Sequence, residues 1–217
     1  MMGIKKLIKL DIISIKPYFT LKNFIIMTVL ALFYMELMDS PNVIMSITMI
    51  FAMIFSSYPF LVGENSGIDG LYRIFSIDCK DVVVGRYILA GLLYIMTSLI
   101  GLIFYLIITL IKSIPMNIDI LITLAINFLV YAVVTALQYP IFLKYGYTKA
   151  KTYALMPIFI IGIIAMSLGF FIKDFKQILS FLEQNKSMIL ISVIILVVVI
   201  IFISIKLAIK SYKKRDF

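Results

Sequence analysis

An all-α, polytopic membrane protein is the fold class this sequence predicts, and three observations carry the prediction. Of its residues, 63% are hydrophobic and only 14% charged, with a mean hydropathy of +1.13, well above what a soluble core inside a polar coat produces. The apolar residues gather into six charge-poor runs, at about 19–38, 41–62, 87–111, 118–143, 153–172 and 188–205. Each approaches or exceeds the roughly 20 residues that cross about 30 Å of hydrocarbon as a helix. The links between them are short, and barrel strands would instead alternate in units of about ten residues. The expectation is one domain over residues 1–217 with six transmembrane helices.

Charge sets the expected orientation. With a cytoplasmic N-terminus, six spans return the C-terminus to the same side. That side then holds the basic groups at residues 5–22, 73–86, 144–151 and 206–215, sixteen of the twenty Lys and Arg residues. The formal net charge of +9 is thereby assigned to topology and to anionic lipid, with no nucleic-acid partner. The first apolar run is too long for a cleavable signal and lacks a small-residue cleavage site, so it is expected to remain as an anchor.

The N-terminal segment, residues 1–17, reads as an amphipathic helix lying in the inner headgroup layer. Ile4, Leu7, Ile8, Ile12 and Ile15 share one side of the helical wheel and Lys5, Lys6, Lys9 and Lys16 the other, before Pro17 ends the segment. Asp11 on the apolar side and Ile13 on the polar side break the pattern. The exterior links are small: Glu36-Leu-Met-Asp-Ser-Pro41, residues 112–117 and residues 173–187. Between their flanks the spans hold no Asp, Glu, Lys or Arg, which argues against an ion-coupled carrier with intramembrane relay groups. The polar residues that remain, Thr97, Ser98, Thr123, Asn127, Thr135 and Gln138, are expected to hydrogen-bond between helices or to line a path. Pro140 and Pro157 fall near span ends, where they could kink the helices. Thirteen Met, seventeen Phe and thirteen Tyr give large, adaptable apolar surfaces.

Residues 63–86 interrupt this apolar chain with the longest polar-rich stretch inside it. Within it Ile68, Leu71, Tyr72 and Phe75 recur at helical spacing, while Asp69, Arg73 and Ser76 point elsewhere. That pattern predicts a two-to-three-turn amphipathic helix, too short to be stable alone. Asp78 can then cap the helix of the third span, with Asp81 three residues on completing an arrangement like a capping box. The apolar face of the short helix either enters a partner's groove or rests on the inner leaflet.

The run Phe75-Ser-Ile-Asp-Cys-Lys-Asp-Val-Val-Val-Gly-Arg-Tyr87 resembles a stretch of the permease subunits of ABC-2 type transporters. There the family typically reads Leu-Pro-Val-Ser-Arg-Lys-Glu-Ile-Val-Leu-Gly-Arg-Tyr, after a Glu that follows span two and a glycine-containing run. Lys80, Asp81, Val82–Val84, Gly85, Arg86 and Tyr87 fit, whereas Ser76 replaces the usual Pro and Cys79 a basic residue. The ending Ser211-Tyr-Lys-Lys-Arg-Asp-Phe217 is also similar to the family's, and the overall layout resembles its compact six-span branch. That branch includes exporters of antimicrobial and amphipathic peptides, among them phenol-soluble modulins.

The resemblance implies a coupling helix between spans two and three that docks on a cytoplasmic ATPase. Glu64, Ile68, Leu71, Tyr72, Arg73 and Phe75 would belong to that contact, and Lys149 and Lys151, in the link after span four, to a second one. It further implies a second permease copy, identical or related, and a lipid-embedded dimer in a bacterial cell membrane. ATP and Mg would sit on the partner subunit, leaving this chain without a cofactor or catalytic residues of its own. The residues agree on that last point, for the chain contains no Gly-x-x-x-x-Gly-Lys-Ser/Thr phosphate loop. An intramembrane enzyme is disfavoured: histidine is absent, the span interiors hold no carboxylate, and the lone Cys79 can form neither an internal disulfide nor a metal site. The alternative to an ATP-driven exporter is an ATP-independent carrier or a non-catalytic subunit of a membrane complex.

Overall fold

The computed structural model describes residues 3–113, 119–154, 156, 160, 163 and 186–215. Its main helices are α1 (Ile4–Ile15), α2 (Leu21–Met38), α3 (Val43–Asn65), α4 (Ile68–Ile74), α5 (Cys79–Ile111), α6 (Asp119–Tyr145) and α7 (Lys186–Lys214). Residues 147–154 are also helical, and there is no strand among the described residues. Five of these helices, α2, α3, α5, α6 and α7, are long and apolar enough to cross a membrane, which makes this a multi-pass membrane protein. The expected span at 153–172 lies almost wholly outside the described residues.

Span ends depart from the expected boundaries in one consistent way. The apolar run of the third span begins near residue 87, but its helix, α5, starts at Cys79, directly after the expected cap Asp78, and runs for 33 residues, about 50 Å at 1.5 Å per residue. Likewise α7 runs past residue 205 to Lys214. Hydropathy marks only where a helix is greasy, and both helices carry their hydrogen bonding a little over two turns beyond the apolar run. The start of α5 is set by Asp78, whose carboxylate accepts from the Lys80 amide at 2.9 Å.

At the centre stands α3, packed against α2, α5 and α6, while α6 packs on α7. By contrast α2 buries only a narrow seam, Met27, Ala31 and Met35 at four-residue spacing, and leaves the rest of its apolar surface to lipid. Where α5 comes closest to α3 it presents Gly101, at which a Cβ would lie 2.7 Å from the Thr48 hydroxyl. Small residues at such crossings let backbones approach and raise the dispersion contact that holds membrane helices together.

Interhelical hydrogen bonding follows a different rule from the one expected. Thr97 and Thr135 donate back to carbonyls of their own helices rather than across an interface. Gln138 does cross, donating to the Ala154 carbonyl at 2.7 Å. Several crossing bonds among the described residues come from tyrosines: Tyr131 to the Ala90 carbonyl at 2.9 Å, Tyr139 to the Ser56 carbonyl at 3.0 Å, and Tyr94 to the Leu124 carbonyl at 3.1 Å. A threonine hydroxyl on a helix reaches only the preceding turn, whereas a phenol is long enough to reach a neighbouring backbone.

Candidate functional site

One end of the bundle gathers every short element: α1, α4, the start of α5, residues 147–154 and the end of α7. Two connections hold α4 there. Gly67, at φ 67°, turns the chain out of α3, and Ser76, at φ 53°, turns it back toward Asp78. Glycine takes the first of these turns without a Cβ penalty.

The back of α4 is fixed by charge. Asp69 is 2% exposed, and its Oδ1 accepts from Arg86 Nη2 of α5 at 2.5 Å. The Tyr212 hydroxyl of α7 donates to the same oxygen at 3.3 Å. Arg86 is itself buried, lies 4.8 Å from the Phe60 ring centroid, and has a second carboxylate nearby: Asp11 Oδ2 of α1 stands 3.9 Å from its Nε. Gly63 leaves room for this group, since a Cβ there would sit 2.9 Å from Arg86 Nη2 and 3.0 Å from both Asp69 oxygens. Burial pushes the Asp11 carboxyl up to about 6; the Arg86 charge opposes that rise and the Asp69 carboxylate adds to it. Tyr72 beside them is also raised, chiefly by burial.

Asp11 thus explains the broken pattern of the N-terminal helix. Leu7, Asp11 and Ile15 form one buried stripe, and Leu7 and Ile8 lie over Gly85 of α5. Part of the side expected to face the headgroup layer therefore packs on protein, at Leu7 and Ile15, while Ile12 of the same side stays exposed. Lys5, Lys6 and Lys9 are exposed, as are Ile12 and Ile13.

The residues expected to form the docking face separate into three groups. Ile68 and Tyr72 turn inward onto the core, Tyr72 being 5% exposed, so the four apolar positions do not share one outward face. Leu71 and Phe75 are exposed at 45% and 71%, and Ile74, which the wheel did not single out, joins them at 75%. Arg73 is occupied within the chain: Nη2 donates to the Tyr212 and Lys213 carbonyls at 2.7 and 2.9 Å, completing the end of α7. Glu64 is occupied too, accepting from the Tyr147 and Thr148 amides at the start of the 147–154 helix. Through that bond α3 positions the link carrying Lys149 and Lys151, both of which are exposed.

Behind this link lies a mainly apolar cavity of about 610 Å³ between α3, α6 and residues 147–154. Met49, Met53, Ile54, Val134 and Phe142 line it, with Gln138 and Lys151 among the few polar groups.

A family profile described as "ABC-2 family transporter protein" matches residues 6–213. No curated protein and no solved structure matches the chain.

Proposed function

Because the chain belongs to the ABC-2 transporter family, whose members are membrane transport components and not themselves catalytic, we propose that it is the permease of an ATP-driven exporter. A separate ABC ATPase, the kind of partner with which this family typically works, would bind ATP and Mg and dock on the face of α4. The observation that carries the reading is the patch of Leu71, Ile74 and Phe75. Three large apolar side chains stand exposed on a seven-residue helix outside the spans and on its C-cap, Phe75. That helix is also tied to the spans from behind by Asp69, Arg86 and Arg73. A surface meant to transmit force needs both properties.

In this reading the short-element end is cytoplasmic, in keeping with the basic residues it carries, and a second copy or a related permease completes a dimer in a bacterial cell membrane. Lys149 and Lys151 add a second contact to the ATPase. The cargo is an amphipathic peptide, an antimicrobial or another hydrophobic molecule, a class supported by the apolar, Met-rich cavity.

Copurification from mild detergent, followed by an ATPase assay, tests the docking. Native protein should bring down a nucleotide-binding subunit, and Leu71→Asp/Phe75→Asp should lose it while eluting as an intact folded protein, since both positions are exposed. An ATPase that stays bound to the double variant, or none with the native chain, overturns the coupling role of α4 and moves an ATP-independent carrier to the front.

A further inference from the structure

Arg86 has more counter-charge than it uses. A guanidinium presents five N–H donors in a fixed fork. Only the Nη2 edge is engaged, with Asp69, while Nε and Nη1 have no hydrogen-bond partner although they are fully buried. Buried unpaired donors are costly, and a second acceptor waits close at hand. Asp11 Oδ2 stands 3.9 Å from Nε, about an ångström beyond hydrogen-bond reach. With both carboxylates ionised the group holds two negative charges against one positive.

The two acids also come from different short elements. Asp69 belongs to α4 and Asp11 to α1, whereas Arg86 projects from the long helix α5 between them. Space at the crossing is kept by Gly63, whose missing side chain would otherwise press on both Arg86 and Asp69. Tyr212 on α7 and Tyr72 on α4 complete the surroundings, and the Tyr72 hydroxyl has no hydrogen-bond partner either.

We propose that Arg86 positions α4 by exchanging partners, bonded to Asp69 when α4 is seated on the bundle and to Asp11 when α4 swings away. Breaking the Asp69 contact in a site with no second acid would strand a buried cation, which would weld α4 in place. With Asp11 beside it the guanidinium keeps a counter-ion throughout, so α4 can move at little electrostatic cost. The same movement tightens α1 onto α5, which links the two short helices in opposite senses. That an ATPase drives α4 rests on the function proposed above; the exchange itself is a property of this chain alone.

Hydrogen–deuterium exchange of the purified full-length chain in detergent at pH 7.5 reads the exchange without any ATPase. In Asp69→Asn, peptides covering 68–75 should exchange about tenfold faster, while those covering 4–15 exchange more slowly because Arg86 has moved to Asp11. In Asp11→Asn, which takes away the alternative partner, peptides covering 68–75 should exchange more slowly than in the native chain. Faster exchange of both helices in Asp69→Asn, or an unchanged α1, overturns the proposal, as does unchanged or faster exchange of α4 in Asp11→Asn. If Asp69→Asn does not fold, the Asp11→Asn result decides alone. Failure of the partner exchange leaves ATPase docking at Leu71 and Phe75 untouched, and loss of the docking reading leaves this measurement unaffected.

Discussion

Replacing Asp11 by Asn should make the protein more stable at neutral pH, although it deletes half of an ion pair. The carboxyl is buried, 7% exposed as a side chain, and its pKa is raised from 3.8 to about 6 with desolvation as the largest cause. A carboxyl whose folded-state value lies above its unfolded one favours folding fully only below about 3.8, and that favour is lost as pH rises through about 6. The difference of about two pK units, at about 1.4 kcal/mol each, is on the order of 3 kcal/mol of cost carried by the ionised group at pH 7.5. Arg86 on α5, Asp69 and Tyr72 on α4 and Tyr212 on α7 face the same space. Asn keeps the shape, carries no charge and does not titrate. The assay is the fraction of protein remaining monodisperse by size exclusion after heating, run from pH 4.5 to 7.5 for both chains. Native protein should lose stability relative to the variant across this window, ending on the order of 6–12 °C lower at pH 7.5 for a chain of this size. If Asp11→Asn is instead the less stable chain at pH 7.5, or if the difference between the two does not change with pH, attraction to Arg86 outweighs burial and the reasoning fails.

Three further outcomes follow from single contacts. Gly146 has φ 81°, and a Cβ there would lie 2.7 Å from Glu64 Oε2, so Gly146→Ala should cost about 1–3 kcal/mol, seen as a lower midpoint in the same heating assay. Asp78→Ala removes the cap on α5 and should cost about 1 kcal/mol, with faster amide exchange confined to the first turn from Cys79. Tyr139→Phe deletes the phenol bonded to the Ser56 carbonyl while leaving the ring against Phe60 at 4.7 Å between centroids. It should cost about 0.6–1 kcal/mol, and a larger loss would mean that the hydroxyl does more than join α3 to α6.

Long-range order was legible in the sequence only where one property decided it. Length and hydropathy place the spans, because lipid forces every buried backbone group into a helix, and the same rule makes α2 and α3 look alike on paper. Which of them is central was not legible: α3 buries residues around most of its circumference and α2 a single seam, yet both are uniformly apolar. The short helix was legible as a helix from its spacing but not in its orientation. Amphipathicity assumes that the apolar side meets whatever is greasy and the polar side meets water, and at α4 both halves of that assumption fail. Asp69 lies on the inner side because Arg86 is there to receive it, and Leu71 and Phe75 lie on the outer side although apolar. No propensity scale anticipates this, because a buried acid depends on a partner seventeen residues away. Local pattern nevertheless left a trace in both short helices. Asp11 stood out as a flaw in an otherwise regular wheel, and Asp69 as a charge beside an apolar stripe. Both acids converge on Arg86, inside the Gly-Arg-Tyr run of the family resemblance. An acid on each of these two short helices is therefore where this end of the protein ties them to the bundle.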